Sequence, residues 1–221
     1  MAIDSACLKK AEQSDHPVTV IRFYQWSPAT VSLGKHQAAA RACAVDFCLE
    51  HDIPVVHRPT GGRAVLHDNE LTYSVVSNDP SLFPLNDLMS TYRVISHALQ
   101  KGFLAFGIPA EASTGIKENS GSRRVGKQGP CFSSPTRHEL MAHGRKLAGS
   151  AQRRLKRSFL QHGSIPLHVD YDFMAGALGT VPEILLTQMI GMDEIIKKPY
   201  QLSELISCMQ AGFREVFASE N

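Results

Sequence analysis

The sequence predicts one α+β domain, with a mixed, largely antiparallel sheet, helices packed on it and a helical C-terminal end. Three observations carry that expectation. Short β-branched and aromatic segments recur between turn residues up to Ser77, and shorter ones return between Glu139 and Ile165. A long amphipathic segment, Asn86 to Phe106, separates the two groups, and the tail after Asp170 reads as helical. No internal repeat or linker divides the 221 residues, a length that suits one well-buried domain over residues 1–221.

Taken in order, Ile3 to Ala11 reads as a short helix with Ile3, Cys7 and Leu8 on one side. Val18 to Trp26 is β-branched and aromatic, a strand. Ser27-Pro28-Ala29 turns the chain, and Thr30 to Leu33 is a second strand ended by Gly34. Gln37 to His51 places Ala40, Cys43, Ala44, Phe47 and Cys48 at helical spacing. Ile53 to His57 is a strand, with Pro54 assigning it to a strand start or an edge. Ala64 to His67 and Leu71 to Ser77 follow, joined by an Asp68-Asn69 turn.

Asn86 to Phe106 presents Leu88, Met89, Tyr92, Ile95, Leu99 and Leu104 on its apolar side, with Asn86 or Asp87 as cap. Ser113 to Gln128 is polar and rich in glycine and serine, and is expected to be a mobile loop. Glu139 to Ala142, Leu147 to Ala151 and Ser158 to Ile165 have strand-like lengths, with Lys146 at the start of the second. Asp170 to Leu178, Val181 to Ile190 and Leu202 to Phe217 read as helices.

Composition narrows the function classes. With 43% hydrophobic and 20% charged residues the chain is globular, neither disordered nor fibrous. No apolar run approaches the roughly 20 residues of a membrane span. Met1 to Ser5 shows no basic region leading into an apolar core, so no signal peptide is expected. Five scattered cysteines without CxxC pairs suit reduced thiols in a cytoplasm. Between Arg123 and Arg157 there are ten Lys or Arg and one acid, Glu139. Such a run is either a solvated basic face or a docking surface for an acidic partner, a carrier protein or nucleic acid. It lacks the interleaved aromatics of a single-strand nucleic-acid groove.

Candidate chemistry gathers between Gly129 and Ile165. Cys131 lies between Pro130 and Phe132 beside dense positive charge, which favours a thiolate, whereas Cys7, Cys43, Cys48 and Cys208 lie in predicted helices and read as core. Lys146 lies between Arg145 and the small residues Gly149-Ser150-Ala151, which permit close approach to a ligand. Arg58-Pro59-Thr60-Gly61-Gly62-Arg63 is either a hairpin turn or a wall of the same site, and Arg63 and His67, flanking the strand Ala64 to Leu66, are candidates to line a pocket. The segment lacks the spacing of a phosphate-binding loop. His138, His143 and His162 are candidate bases for Cys131, and the histidine spacings match no zinc site.

Arg58-Pro59-Thr60-Gly61-Gly62-Arg63-Ala64-Val65-Leu66-His67-Asp68, with Glu70-Leu71-Thr72-Tyr73-Ser74-Val75, resembles the signature of the lipoate–protein ligase and octanoyltransferase superfamily. Cys131-Phe132, Glu139-Leu140, Gly144 to Gln152 and Leu160 to Ile165 resemble its LipM-type octanoyltransferase branch. The resemblance covers nearly the whole chain. Two departures are that relatives usually carry a strand before the segment matching Met1 to Asp4, and an acid where Ser5 stands.

The resemblance implies the fold of the catalytic domains of biotin– and lipoate–protein ligases. It implies that an octanoyl group passes from acyl carrier protein to Cys131, then to a lysine of a lipoyl-domain acceptor. That acceptor is the glycine cleavage H protein or a 2-oxo-acid dehydrogenase lipoyl domain. Lys146 falls where the superfamily has its site lysine. Arg58, Gly61, Gly62, Arg63, His67, Gly149, Ser150, Ala151, His162 and Gly163 would bind the substrate. No cofactor or metal is required, octanoyl or lipoyl being substrate, and neither nucleic acid nor membrane is a partner. Two rivals are an ATP-dependent lipoate ligase of the same fold, which needs no cysteine at position 131, and a non-catalytic binding relative.

Overall fold

A computed structural model describes residues 1–113 and 139–219. Helix α1 (Ala2–Gln13) leads to strand β1 (Thr19–Tyr24), and a turn with a cis Ser27–Pro28 peptide leads to β2 (Thr30–Leu33). Helices α2 (Ala39–Ala42) and α3 (Val45–Glu50) precede β3 (Val55–His57), β4 (Val65–His67) and β5 (Glu70–Ser77). Helix α4 (Leu88–Phe106) is followed by β6 (Glu111–Ala112), β7 (Leu140–Ala142), β8 (Arg145–Arg154) and β9 (Phe159–Pro166). Helices α5 (Tyr171–Leu178), α6 (Pro182–Gln188), α7 (Met192–Ile195) and α8 (Leu202–Ser219) complete the described chain.

The strands form two sheets. One runs β1-β5-β9-β8-β7-β6 with every neighbouring pair antiparallel. The other runs β3-β2-β4, with β2 parallel to β3 and antiparallel to β4. This is the predicted mixed, largely antiparallel arrangement with flanking helices. Pro54 precedes β3, which is indeed an edge strand.

Strand β5 is buried along its whole length, and its alternation sorts two different interiors. Leu71, Tyr73 and Val75 enter the apolar core shared with α4 and α8. Glu70, Thr72 and Ser74 alternate with them on the other face, so polar residues are carried there, equally sealed from water. A second core, with Val31, Leu33, Leu66, Cys48, Met174 and Leu185, packs the small sheet against α3, α5 and α6. Asp87 caps α4 as predicted, accepting hydrogen bonds from the N–H groups of Met89 (3.1 Å) and Ser90 (3.0 Å).

Several expectations are corrected. The helix predicted over Gln37 to His51 is two helices, because Cys43 is extended and the Ala44 N–H bonds the Ala177 carbonyl at 3.0 Å instead of its own helix. On α4, Leu88, Met89 and Leu104 are exposed, and the buried stripe runs through Val94, Ile95, Ala98, Leu99, Gly102 and Phe103. The small residues of that stripe admit α8: a Cβ on Gly212 would lie 2.2 Å from the Ala98 carbonyl oxygen. On α1 the buried face is Asp4, Leu8 and Ala11, with Ile3 exposed. Cys43 and Cys48 are buried as expected, but Cys7 and Cys208 are only half-buried. Strands β8 and β5 begin earlier than predicted, and β6 and α7 were not anticipated.

Candidate active site

The glycine-rich segment is not a hairpin turn. Strands β3 and β4 flank β2 on opposite sides, so residues 58–64 cross over the end of β2. Arg58 holds that crossing from below. It is 4% exposed, and its guanidinium donates to the carbonyls of Gly61 (2.9 Å), Arg63 (2.6 Å) and Ser32 (2.9 Å) and to Ser32 Oγ (3.1 Å). The Lys35 N–H donates to the Thr60 carbonyl at 2.9 Å. Gly62 has φ +96°, a left-handed conformation that favours glycine, and a Cβ there would lie 2.8 Å from Arg58 Nη2. Gly61 and Gly62 are exposed, and Arg63 is half-buried.

Two buried carboxylates stand on the polar face beneath this crossing. Glu70 accepts hydrogen bonds from Thr72 and Ser164 and one from His67 Nδ1 at 2.8 Å. His67 in turn stacks on Trp26, ring centroids 4.3 Å apart, with Nε2 2.7 Å from Ser32 Oγ. Asp4, fully buried, accepts from Arg22, from Tyr24 Oη (2.9 Å) and from Ser74 Oγ (2.9 Å). Burial opposes charge on Asp4, but the His162 contact, these hydroxyl donors and Arg22 outweigh it and hold the carboxyl down at about 2. Burial, with Asp4 alongside, pushes the Tyr24 phenol far up, so it stays a donor.

His162 faces Asp4 with Nδ1 3.8 Å from Oδ2, too long for a hydrogen bond. Its Nε2 lies 2.7 Å from Thr60 Oγ1. Burial lowers the His162 pKa despite Asp4, which leaves the ring neutral near pH 7.

Lys146 is the second residue of β8, and its side chain is sealed. The lysine is 2% exposed and Nζ donates to Glu139 Oε1 at 2.5 Å. The hairpin between β7 and β8 brings the pair together. Ala142 pairs with Arg145 across a two-residue His143-Gly144 turn, in which both residues have positive φ (50° and 72°). A register shift, Leu140 facing Ala148 while Met141 faces Lys146, breaks the alternation, so Lys146, Leu147 and Ala148 are all buried. On the other edge, where β9 no longer pairs, the Ile190 N–H donates to the Lys146 carbonyl at 3.1 Å.

Between the two sheets lies a narrow crevice with a cavity volume of about 30 Å³. Of the sequence-predicted substrate residues, Arg58, His67, Gly149, Ser150, Ala151, His162 and Gly163 line it, and Gly61, Gly62 and Arg63 lie outside that lining. Gly149 to Ala151 continue the strand that carries Lys146. The Ser150 hydroxyl is held at 2.7 Å by Tyr73 Oη, whose pKa burial pushes up to about 12. The space beside Gly163 is taken by protein: a Cβ there would meet the Gly149 carbonyl oxygen at 2.2 Å and Tyr73 Cε1 at 2.5 Å. Cys131, His138 and residues 114–128 of the expected loop lie outside the described residues. His143 is exposed in the β7–β8 turn.

Sequence reasoning missed Asp4, Ser32, Thr60 and Glu70 as site-organising groups. Their signal was weak: polar side chains at every second position of β5, and one acid on the otherwise apolar stripe of α1. Among the described residues, no group of three or more His, Cys, Asp or Glu is placed to hold a metal ion, and no helix is long and apolar enough to cross a membrane.

The family model described as "Lipoyl protein ligase A/B catalytic domain" matches residues 1–214. The protein named Octanoyltransferase LipM from Brevibacillus brevis is 39% identical over 96% of this chain and 80% of its own length. That of Exiguobacterium sp. is 34% identical over 99% and 82%. A crystal structure of lipoate-protein ligase A bound with ATP superposes with a TM-score of 0.76 at 25% identity, covering 98% of this chain and 79% of that one. The bipartite lipoate protein ligase of Thermoplasma acidophilum, at 21% identity and a TM-score of 0.76 over 98% and 77%, shares the fold. By the extent of the family match and the identity to its curated members, this chain belongs to the lipoyl protein ligase A/B catalytic-domain family and is an acyltransferase.

Proposed function

We propose that the chain is an octanoyltransferase of lipoate biosynthesis, acting as one catalytic domain in the cytoplasm. An octanoyl group moves from octanoyl-acyl carrier protein to Cys131 and then to a specific lysine of a lipoyl-domain protein. Glycine cleavage H protein and 2-oxo-acid dehydrogenase lipoyl domains are the acceptors this reading names. The structural observation that carries it is Lys146, an amine almost wholly withdrawn from water and paired with Glu139, on the strand whose continuation walls the crevice. Lysines are seldom fully buried without a partner or a function. The LipM relatives, similar over nearly the whole chain, support the choice of reaction.

In this reading the Cys131 thiolate attacks the donor thioester, and the carrier's thiolate leaves. A thioester is exchanged for a thioester, so no nucleotide, metal or other cofactor is needed. The acceptor amine then attacks the acyl-enzyme carbonyl, loses its proton and releases Cys131. Lys146, an ammonium whose direction Glu139 fixes, positions the carbonyl and gives a proton to the departing Cys131 sulfur, regaining one from the acceptor amine. Backbone N–H groups in Gly149 to Ala151 stabilise the oxyanion. The basic residues between Arg123 and Arg157 attract the acidic carrier, although Lys146 is buried and Arg145 pairs with Glu194 at 2.7 Å, so neither belongs to a docking surface.

Intact-protein mass spectrometry after mixing with octanoyl-acyl carrier protein, without ATP, tests the acyl-enzyme. A gain of one octanoyl group in wild type and none in Cys131→Ser supports it. A second reading, an ATP-dependent lipoate ligase, is favoured by the likeness to the ATP-bound lipoate-protein ligase A. That reading gains if acylation of a lipoyl domain appears only with ATP and free acid and survives Cys131→Ser.

A further inference from the structure

Two chains of polar contacts converge on the glycine-rich crossing from different parts of the fold. The first starts at Glu70 on β5. Its carboxylate accepts from His67 Nδ1 (2.8 Å), and His67 Nε2 lies 2.7 Å from the Ser32 hydroxyl oxygen. The Ser32 oxygen then accepts from Arg58 (3.1 Å), whose remaining donors hold the carbonyls of Gly61 and Arg63. The second chain runs from His162 on β9, whose Nε2 lies 2.7 Å from Thr60 Oγ1 while its Nδ1 stands 3.8 Å from Asp4 Oδ2 without a hydrogen bond. Glu70, His67, Ser32, Arg58, Asp4, His162 and Thr60 are all buried.

We propose that His67 and His162 are positioning residues that tie the 58–63 crossing to the sheet, His67 from Glu70 through Ser32 and Arg58 and His162 through Thr60, so that it forms a fixed wall of the acyl crevice. Both nitrogens of His67 are used by protein partners, so its bonds are spent on the wall and not on a ligand. Ser32, His67 and Glu70 have the order of a serine–histidine–carboxylate triad, but Ser32 is fully buried and its oxygen already accepts from a guanidinium. The chain therefore ends on a cation and a backbone loop, not on an accessible nucleophile. Gly61 and Gly62, the exposed middle of the crossing, have little packing of their own, and the tethers at Arg58 and Thr60 supply its order. Arg58 lines the crevice, so loosening the crossing weakens acyl binding more than it slows the chemistry.

The test uses the full chain. Hydrogen exchange of residues 58–66 is compared in wild type, Thr60→Val, Thr60→Ser and His67→Phe, the last keeping an aromatic ring against Trp26. Exchange there rises about tenfold in Thr60→Val and His67→Phe, stays at the wild-type rate in Thr60→Ser, and is unchanged in α4 and α8. With octanoyl-acyl carrier protein as donor, KM rises about tenfold in Thr60→Val while kcat stays within about twofold, and Thr60→Ser restores KM. Wild-type exchange in Thr60→Val overturns the proposal, as does a loss of activity that only tracks the folded fraction. Should His67→Phe fail to fold, the Thr60 pair decides. The kinetic arm rests on the octanoyl-transfer reading and the exchange arm does not. If wild type accepts no octanoyl group, that reading fails and exchange alone settles the tethers.

Discussion

Lys146 Nζ and Glu139 Oε1 stand 2.5 Å apart across the β7–β8 hairpin, their side chains 3% and 8% exposed. Two charges withdrawn from water this far need each other's field and a geometry that holds them, which the short turn and the register shift supply. Replacing Glu139 by Ala removes that partner from a buried ammonium. The expected loss is about 3 kcal/mol of stability, read from urea unfolding. An unchanged midpoint and slope would mean the pair contributes nothing net.

Lys146→Met keeps an unbranched apolar stem, one atom shorter, and removes the charge. Octanoyl transfer to a lipoyl domain should fall by about 10² or more. Lys146→Arg, with a broad planar head in place of a compact one, should not restore it. Circular dichroism of both variants checks that the sheet is retained.

Asp4 ties α1 to the sheet face, and its pKa predicts acid lability of known sign. The folded value of about 2 lies below the free value of 3.8. The carboxylate therefore stabilises the fold above about pH 4, and that contribution, about 2 kcal/mol, is lost as pH falls toward 2. His162, held neutral by burial, adds a loss beginning higher, as pH falls below the 6.5 of a free imidazole. The stability gap between wild type and Asp4→Asn should narrow by about 2 kcal/mol from pH 4 to pH 2 in urea titrations. A pH-independent gap would contradict the burial of a charged Asp4.

Gly163→Ala places a methyl group 2.2 Å from the Gly149 carbonyl oxygen, between β8 and β9. Backbone cannot yield there as a flexible side chain would. A destabilisation of about 2 kcal/mol and a matching fall in thermal midpoint are expected. A neutral result would show that the two strands can separate without cost.

What the sequence showed and what it hid follow from the range of the interactions. Local signals were readable: Asp87 as a cap, Pro54 at an edge strand, and Thr30 to Leu33 as a strand. The split at Cys43 was not, because it depends on Ala44 bonding Ala177, far along the chain. The face of α4 was misjudged because leucine and methionine outweigh glycine in any apolar count, yet Gly102 and Ala98 are what let α8 close. Gly61-Gly62 and Lys146 stood out as motifs. The burial of Asp4 and Glu70 did not, although Glu70 lies in the quoted signature, since an acid in an amphipathic element normally faces water.

The central claim is nucleotide-free octanoyl transfer, and the measurement closest to it is the mass of an unmodified lipoyl domain incubated with the enzyme and octanoyl-acyl carrier protein in the absence of ATP. The account predicts a gain of one octanoyl group on the lipoyl domain with wild type and none with Lys146→Met. Modification that appears only when ATP and free octanoate are supplied would contradict it.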